Sequence, residues 1–396
     1  MQENKIICGA MPEATKVFPD GYFNCCISSP PYWALRAYGT NHQIWDGDKN
    51  CKHKWGKSII RKKSGGTEKT DVGNFKDDRI HYVSKTNFCN ICGAWRGELG
   101  LEPTFELYIK HLCDIYDEVK RVLRDDGTCW VNLGDTYNAA GMGSYGKGAF
   151  VRPSRNEAVK VGKKESKSIP TKSLCLIPQR FAIEMVNRGW ILRNVIIWHK
   201  PNPMPSSAKD RFTVDFEYVY FFVKSKKYWF EPQYEPHKEP WRGQGEKECN
   251  DFAYGEDRNS KEFTRQYNPL GRNKRTVWTI PTQAYSEAHF ATFPEKLVQP
   301  MIKAGCPEFV CTKCGKAREK IWEPSKEYAK YLNTGKPTKK DVGDKYVYMK
   351  STPAMLPDYK IIGYTDCGCN ADWRPGRILD CFCRKLHHRQ GSRQAA

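Results

Sequence analysis

The sequence predicts an α/β fold in which helices cover both faces of a mostly parallel sheet. Short apolar runs with the length of buried strands alternate along the chain with longer segments whose apolar residues recur at helical spacing. Units of this length connect parallel strands through crossover helices, which bury the sheet on both sides.

The first predicted unit is a strand, a short helix and a second strand. Lys5 to Cys8 and Tyr22 to Ser28 form the strands, and the second runs into Ser29-Pro30-Pro31-Tyr32, where the prolines must end it. A polar stretch from about Asp46 to Asn87 is rich in Lys, Gly and Asp, so it resembles an inserted loop more than core. Regular structure resumes at Pro103.

Two helix and strand units and a further strand follow. The first helix begins behind a capping threonine, and Gly127 turns the chain into the next strand. A basic, glycine-rich loop from Ala139 to Lys172 separates the two units. The predicted elements are helices at Thr104 to Leu123 and near Leu174 to Arg188, and strands at Cys129 to Leu133, Ile191 to Trp198 and Phe216 to Val223.

Basic residues exceed acidic residues by 65 to 45, which gives a formal charge of +20. A polyanionic partner explains such an excess through phosphate contacts and counterion release, whereas a merely soluble basic surface is the simpler alternative. Basic and aromatic residues interleave through much of the chain, which favours nucleic acid.

The 17 cysteines could indicate a secreted disulfide scaffold, but the chain is long and opens without a signal sequence. We therefore expect a protein of the reducing cytoplasm. The strongest apolar run, Phe216 to Val223, contains Glu217 and is far shorter than the roughly 18 residues that span a bilayer. This pattern excludes membrane insertion.

The tetrapeptide Ser29-Pro30-Pro31-Tyr32 is the first candidate site. A double proline before an aromatic residue usually marks only a stiff turn, but this one also fits methylation of an amine. The lone pair of an exocyclic amine is delocalised into the base ring, so acceptors on its hydrogens must localise that pair for attack on a sulfonium methyl. A Ser hydroxyl and an outward carbonyl supply such acceptors. Tyr32 and Trp33 can stack on a flipped base.

Five ordered motifs resemble the DNA N4-cytosine and N6-adenine methyltransferases that carry the catalytic tetrapeptide first and the cofactor loop last. The resemblance covers nearly the whole chain. It implies a Rossmann-like sheet, S-adenosylmethionine as cofactor, and double-stranded DNA as partner, in restriction and modification. The matching segments are Ser29 to Arg36, Asp126 to Tyr137, Ile197 to Pro205, Arg275 to Pro281 and His289 to Pro294.

The resemblance also implies roles for residues in these motifs. Ser29 and the Pro30 carbonyl accept the amine hydrogens, Pro31 holds that carbonyl outward, and Tyr32 stacks on the base. Expected base or DNA contacts are Trp33, Asp135, Lys200 and Asn202. Expected cofactor contacts are His289, Phe290, Phe293, Pro294, Asp380 and Phe382.

Two of these roles have structural alternatives. Asp135 could instead form a strand-end turn or cap a helix, and the loop of Lys200 and Asn202 could be proline-braced only for rigidity. The identity of the first tetrapeptide residue bears on the base. In the family, Ser usually accompanies cytosine and an acidic or amide residue accompanies adenine, so Ser29 favours N4-methylcytosine over N6-methyladenine.

Two cysteine sets have the spacing of structural zinc sites. Cys-x-x-Cys-Gly is a strong metal-binding knuckle, whereas Cys-x-His is a looser partner, and free buried thiols are the alternative. With four protein ligands each, both sites would be closed and structural. The ligand sets are Cys51, His53, Cys89 and Cys92, and Cys311, Cys314, Cys367 and Cys369.

The C-terminal cofactor loop departs from the family pattern. Arg377 to Cys383 begins correctly, but Arg384 to Ser392 lacks the expected glycine turn. Codons for that run, read one base later, can spell Gly-Ser-Ser-Thr-Thr-Gly-Lys-Val-Ala, which the family would have there. We therefore expect a frameshift near codon 384 that also removes the next strand and helix. A divergent basic tail is the alternative.

These patterns divide the chain into seven predicted parts and leave three functions open. The leading function is a DNA methyltransferase; the rivals are a zinc-stabilised DNA-binding protein without turnover and an RNA methyltransferase, which often has Asn-Pro-Pro-Tyr instead. The parts are 1–45 (catalytic motif), 46–102 (zinc knuckle), 103–233 (core), 234–275 (target recognition), 276–310 (cofactor-side helix), 311–372 (second zinc knuckle) and 373–396 (cofactor loop).

Overall fold

A computed structural model describes most of the chain. The described residues are 7–37, 40–55, 59–61, 82–84, 87–139, 159–160, 166–235, 272–283, 293–326, 329 and 359–382. Most of the predicted target-recognition part, 234–275, lies outside them. So do His289, Phe290 and the segment from 383 to 396 on which the frameshift hypothesis depends.

The helices of the described chain are Phe105–Val122 (α1), Ile177–Asn187 (α2), Glu295–Gly305 (α3) and a short 3-10 helix, Glu13–Thr15. The longer strands carry the main sheet. In chain order the strands are Phe23–Ser28 (β1), Arg36–Ala37 (β2), Gln43–Trp45 (β3), Ile59–Arg61 (β4), Tyr82–Ser84 (β5), Trp95–Gly97 (β6), Leu123–Leu133 (β7), Val159–Lys160 (β8), Ile191–His199 (β9), Phe216–Val223 (β10), Tyr234–Glu235 (β11), Arg272–Asn273 (β12), Val277–Thr279 (β13), Phe309–Cys311 (β14), Lys320–Pro324 (β15), Tyr359–Tyr364 (β16), Trp373–Pro375 (β17) and Ile378–Leu379 (β18).

Within the part of the chain that the structure describes, the main sheet has six strands in the order β13-β9-β10-β7-β1-β18. β1 pairs in parallel with β7 and β18, and β13 pairs in parallel with β9. β10 is antiparallel to both of its neighbours, so five of the six strands run in one direction. The predicted mostly parallel sheet is therefore confirmed, with one reversed strand that the sequence did not predict.

Side chains alternate between two cores on opposite faces of the sheet, as strand geometry requires. Cys26, Val131 and Phe222 point to the core formed with α1 and α2. Ile27 and Trp130 point to the core formed with α3. Helices thus cover both faces, as the sequence predicts.

α1 begins where the sequence places it. The Thr104 side chain accepts a hydrogen bond from the Leu107 N–H and satisfies one of the unpaired N–H groups of the first turn. Most of its apolar stripe is buried, with Leu112 fully buried and Leu107 half-buried. Truncating Leu112 to alanine would cost about 2 to 5 kcal/mol, the usual range for such a core cavity.

The predicted strand at Lys5 to Cys8 is wrong over its described half, because Ile7 and Cys8 form no strand and the following helix is a single 3-10 turn. Within the described residues, no helix combines the length and the apolar character that crossing a membrane requires.

Candidate active site

Four predicted site segments lie at one edge of the sheet. Because β1, β7, β9 and β18 run in the same direction, their carboxyl ends meet at that edge. Ser29 to Tyr32 follows β1, Asp135 follows β7, Lys200 follows β9, and Asp380 follows β18. The carboxyl ends of the strands are where α/β sheets bind their ligands.

Asn132 organises the tetrapeptide. Its Oδ1 accepts a hydrogen bond from Ser29 Oγ at 3.4 Å and lies 3.2 Å from the Tyr32 hydroxyl. Its Nδ2 donates to the Tyr218 carbonyl at 3.1 Å, which fixes the orientation of the amide. The Tyr32 hydroxyl also donates to Glu217 Oε2 at 2.7 Å. The loop after β1 is therefore tied to β7 and β10.

Tyr32 is held as a neutral donor in a tight space. Burial, followed by the nearby Glu217 carboxylate, raises the pKa of Tyr32 well above its usual value of 10. The ring lies against Gly134, where a Cβ would come within 2.6 Å of Tyr32 Cε2. The Tyr108 hydroxyl donates to the Pro31 carbonyl at 2.7 Å. Residue 134 must be glycine for the ring to occupy this position.

Lys200 joins the same network. Its Nζ forms an ion pair with Glu217 and lies 4.3 Å from the centre of the Trp198 ring. Because Glu217 also accepts from Tyr32, one carboxylate links the loops after β1 and β9.

Asn202 braces the loop after β9. Its Oδ1 accepts from the Thr282 N–H at 2.9 Å, and its Nδ2 lies 3.4 Å from the Thr282 carbonyl. This pairing supports the rigid-loop alternative for Asn202. Contact of Asn202 with DNA stays a prediction.

The structure also places Asp135 and Trp33. Asp135 Oδ1 accepts from the N–H groups of Thr136 at 2.8 Å and Ile177 at 3.1 Å, so the carboxylate caps α2. The predicted base contact of Trp33 is wrong: the side chain is 1% exposed and donates to the Glu102 carbonyl at 3.0 Å. Trp33 instead packs inside the protein against Phe105 and joins the chain after the tetrapeptide to residue 102.

The predicted cofactor residues within the described chain fall into two groups. Phe382 packs against the α1 side of the sheet, and its ring lies 6.4 Å from that of Tyr116, whose hydroxyl is 2.8 Å from Ser28 Oγ. Phe293 packs against the α3 side, and Pro294 is the buried N-cap of α3. The two groups thus pack on opposite faces of the sheet.

Asn132 and Glu217 were not predicted as site residues. Each had a signal in the sequence, since Asn132 lies within a matching motif and Glu217 interrupts the strongest apolar run. A charged residue inside a buried strand needs a partner, but the partners of Glu217 come from two distant loops.

The family model of the DNA methylases, a family of N6 and N4 methyltransferases, matches residues 23–311 of the chain. The chain belongs to this family. The match includes the tetrapeptide, the strands β7, β9 and β10, and the first cysteine cluster.

Two type II methyltransferases with similar sequences agree with this assignment. The methylase is 32% identical over 286 residues to the type II methyltransferase M.Cfr9I of Citrobacter freundii, covering 72% of this chain and 67% of that protein. It is 29% identical over 308 residues to the type II methyltransferase M.SmaI of Serratia marcescens, covering 76% and 75%. The solved PvuII DNA methyltransferase (cytosine-N4-specific) aligns with a TM-score of 0.38 and 14% identity, covering 76% and 70%.

The folded methylase brings both predicted cysteine sets together. In each set, all four potential ligand atoms lie within 4.8 Å of one another. A tetrahedron with Zn–S bonds of about 2.3 Å has edges of about 3.8 Å, and Cys51 Sγ and Cys89 Sγ are 3.9 Å apart. The donor types and spacing therefore fit a tetrahedral metal ion.

In each cluster, backbone N–H groups lower the pKa of one cysteine and so favour its thiolate form. Desolvation opposes ionisation of Cys89, but hydrogen bonds from the backbone N–H groups of Cys92 and Ile91 outweigh it and lower its pKa to about 6. The backbone N–H of Cys314 is the main group that lowers the pKa of Cys311 to about 6. Thiolates are the form that binds metal.

Proposed function

We propose that the methylase transfers a methyl group from S-adenosylmethionine to an exocyclic amine of a DNA base, with N4 of cytosine as the favoured target. The observation that carries this proposal is the hydrogen bond from Ser29 Oγ to Asn132. A serine hydroxyl that donates its proton to Asn132 keeps its lone pairs available to accept a hydrogen from the amine.

The chain supplies the remaining parts of an amine site at the same edge. The Pro30 carbonyl takes the second amine hydrogen, so the nitrogen lone pair is directed at the methyl group. S-adenosylmethionine would supply the electrophilic methyl group, and the amine would release to water one of the two hydrogens that Ser29 and the Pro30 carbonyl accept. Tyr32, fixed by Asn132 and Glu217, provides the surface on which the flipped base stacks.

The cofactor binds beside this site in our proposal. Cys26 of β1 pairs with Leu379 of β18, so the chain segments after the two strands begin side by side. Asp380 and Phe382 lie in the second of these segments. These residues would hold S-adenosylmethionine next to Ser29.

Cytosine is favoured over adenine because Ser29 is the first residue of the tetrapeptide. A neutral hydroxyl is a weaker acceptor than a carboxylate, but it can orient the amine while a carbonyl takes the second hydrogen. Restoring the reading frame near codon 384, incubating that protein with unmodified DNA and S-adenosylmethionine, and analysing the digested nucleosides by mass spectrometry should give N4-methylcytosine. N6-methyladenine alone would overturn the choice of base.

Replacement of Ser29 tests the role of the hydroxyl. Ser29→Ala should lower turnover by about 100-fold, the scale expected when one aligned hydrogen-bonding group is removed at a transition state. Ser225→Ala, in the turn after β10 at the opposite edge of the sheet, is the matched control and should leave turnover unchanged. Full activity of Ser29→Ala would contradict the proposed role.

A DNA-binding protein without turnover is the second candidate, favoured by the loss of the glycine turn after Cys383. Isothermal titration with S-adenosylmethionine separates the two functions. Saturable binding supports the methyltransferase, whereas DNA binding without any cofactor binding supports the alternative.

We also propose one structural zinc ion in each cysteine cluster, within the insertions 46–102 and 311–372. Elemental analysis of protein purified without chelator should give two zinc ions per chain. Cys51→Ser should remove one of them and Cys369→Ser the other, because loss of one of four ligands weakens a closed site. Protein without zinc would overturn both sites.

A further inference from the structure

The tetrapeptide and the first cysteine cluster belong to one excursion of the chain. The chain leaves the sheet at the end of β1, passes through Ser29 to Tyr32 and β3, reaches the cluster, and returns through β6 to the start of α1. β3 and β6 pair with each other, with Trp45 opposite Trp95. The cluster therefore sits at the carboxyl edge of the sheet, on the side of the proposed active site.

The returning segment holds the residues around the tetrapeptide directly. The Ala34 N–H donates to the Gly100 carbonyl at 2.8 Å, and Trp33 Nε1 donates to the Glu102 carbonyl at 3.0 Å. Gly100 has a φ of +89°, and a Cβ there would lie 3.1 Å from the Tyr32 carbonyl oxygen and 3.4 Å from Pro31 Cβ. The backbone at 100–102 thus forms the floor beneath residues 31–34.

A hydrogen-bonded network of two carboxyl groups and an imidazole ring holds the backbone at 100–102 in place. Glu102 is fully buried; its Oε2 accepts from the Gly100 N–H at 2.8 Å, and its Oε1 lies 3.1 Å from His111 Nδ1. His111 is also fully buried, and its Nε2 lies 3.1 Å from Asp46 Oδ2. The imidazole ring therefore bridges two carboxylates that come from opposite ends of the insertion.

The same histidine ring is stacked against the hairpin that carries the cluster. Trp45 stacks on His111 with 4.6 Å between ring centroids, and Trp95 stacks on it at 5.6 Å. Trp95 follows the Cys89 knuckle, in which the Cys89 N–H donates to the Ala94 carbonyl at 2.7 Å. The knuckle and the His111 stack are therefore contiguous.

The other half of the cluster reaches the network by a second route. Gly47 lies so close to His53 that a Cβ on it would be 3.2 Å from His53 Cε1. Gly47 follows Asp46, the carboxylate bonded to His111. Both halves of the cluster, the knuckle of Cys89 and the segment of His53, thus contact elements that hold His111.

We propose that metal binding at Cys51, His53, Cys89 and Cys92 positions the tetrapeptide, and that His111 is the positioning residue that connects the two. Metal ligation fixes β3 and β6, their tryptophans fix the His111 ring, and Glu102 fixes the floor under Trp33 and Ala34. The effect on methyl transfer rests on the proposed function, but the structural connection does not.

The experiment follows the indole N–H signal of Trp33 by ¹⁵N NMR, assigned by its loss in Trp33→Phe. The paired change Cys89→Ser with Cys92→Ser should shift or broaden this signal. The matched control is Cys311→Ser with Cys314→Ser, which disrupts the other cluster at the opposite edge of the sheet and should leave Trp33 unchanged. The indole N–H of Trp130 is hydrogen-bonded to Thr128 in the main sheet. Its NMR signal should be the same in the wild type and in Cys89→Ser with Cys92→Ser.

His111→Gln tests the intermediate step. It should move the Trp33 signal as the cysteine pair does, while elemental analysis still gives the wild-type zinc content. The proposal is overturned if Trp33 is unaffected by the Cys89 pair or by His111→Gln, if the Cys311 pair moves it equally, or if the wild type holds no metal at this cluster. A shift of the Trp130 signal in Cys89→Ser with Cys92→Ser would indicate general unfolding and would also overturn the proposal.

Turnover provides a second readout. In an active preparation, His111→Gln should lose turnover while its affinity for S-adenosylmethionine stays at the wild-type value, because Asp380 and Phe382 lie outside the insertion. Equal loss of both would contradict a positioning role. If the wild type transfers no methyl group at all, the proposed function fails, whereas the Trp33 measurement still decides this inference.

Discussion

Asp135 occupies a position at which a charge is costly. Its Oδ1 is used to cap α2, while its Oδ2 is buried and has no hydrogen-bond partner among the described residues. Desolvation raises the pKa of this carboxyl above its usual 3.8, although hydrogen bonds from the Ile177 and Thr136 N–H groups oppose the shift. The cap explains why an acceptor is required here, but it does not require a charge.

Asp135→Asn should therefore be more stable than the wild type at neutral pH, because asparagine keeps the acceptor without a desolvated charge. Because the pKa of Asp135 is higher in the folded protein than in the unfolded chain, its protonated form stabilises the fold. This contribution is fully present below pH 3.8 and is lost as the pH rises through the folded pKa. The advantage of asparagine should thus vanish in acid and grow toward neutrality. Urea unfolding over this range measures it.

Asp135→Ala is the companion variant. It removes the acceptor as well as the charge, so it should be less stable than Asp135→Asn by about 1 kcal/mol, the usual value of a helix cap. An asparagine variant that is less stable than the wild type at neutral pH would contradict the assignment.

β10 connects the parts of the site because it is the reversed strand of the sheet. Its first residues lie at the carboxyl edge, opposite the ends of β7 and β9. Glu217 therefore meets both Tyr32 and Lys200. A parallel strand at this position would place its amino end, and any residue there, at the other edge.

Glu217→Gln should lower turnover about tenfold, because a hydrogen bond to a charged acceptor exceeds a neutral one by about 1.4 kcal/mol. The variant keeps the shape of the side chain and loses the ion pair with Lys200. The control is Glu13→Gln, whose exposed pair with Lys16 contributes little. Initial rates of methyl transfer that are equal in Glu217→Gln and the wild type would rule out this role.

The sequence predicted elements better than it predicted their partners. The bounds of α1 and β10 follow from apolar periodicity and capping, and the two cysteine clusters follow from ligand spacing. The direction of β10 in the sheet cannot be predicted in this way, because an apolar run has the same pattern whichever way the strand runs. The prediction that Trp33 contacts the base is wrong because an aromatic residue after a turn can face either the core or the solvent. Its burial depends on packing against residue 102, which the local sequence does not reveal.

The two edges of the main sheet, at the carboxyl and amino ends of its parallel strands, carry different sites. The tetrapeptide, Lys200 and the first cysteine cluster lie at the carboxyl edge, whereas the second cluster separates the end of α3 from the start of β18 at the amino edge. The loop between β9 and β10 also lies at the carboxyl edge and exposes Met204 at 88% and Phe212 at 97%. An exposed loop beside the proposed amine site is where DNA would approach.

Charge replacement at the two edges tests this orientation. Lys209 and Arg211 are exposed in the carboxyl-edge loop, and Lys226 and Lys227 are exposed in the turn at the amino edge. Lys209→Ala with Arg211→Ala should weaken DNA binding and reduce the slope of log K against log salt by about 1.8, or about 0.9 for each phosphate contact. Lys226→Ala with Lys227→Ala changes the net charge equally and should leave the slope as in the wild type. Fluorescence titrations over a range of salt concentrations measure both slopes, and an equal reduction in the two pairs would show that DNA binding depends on net charge rather than on this edge.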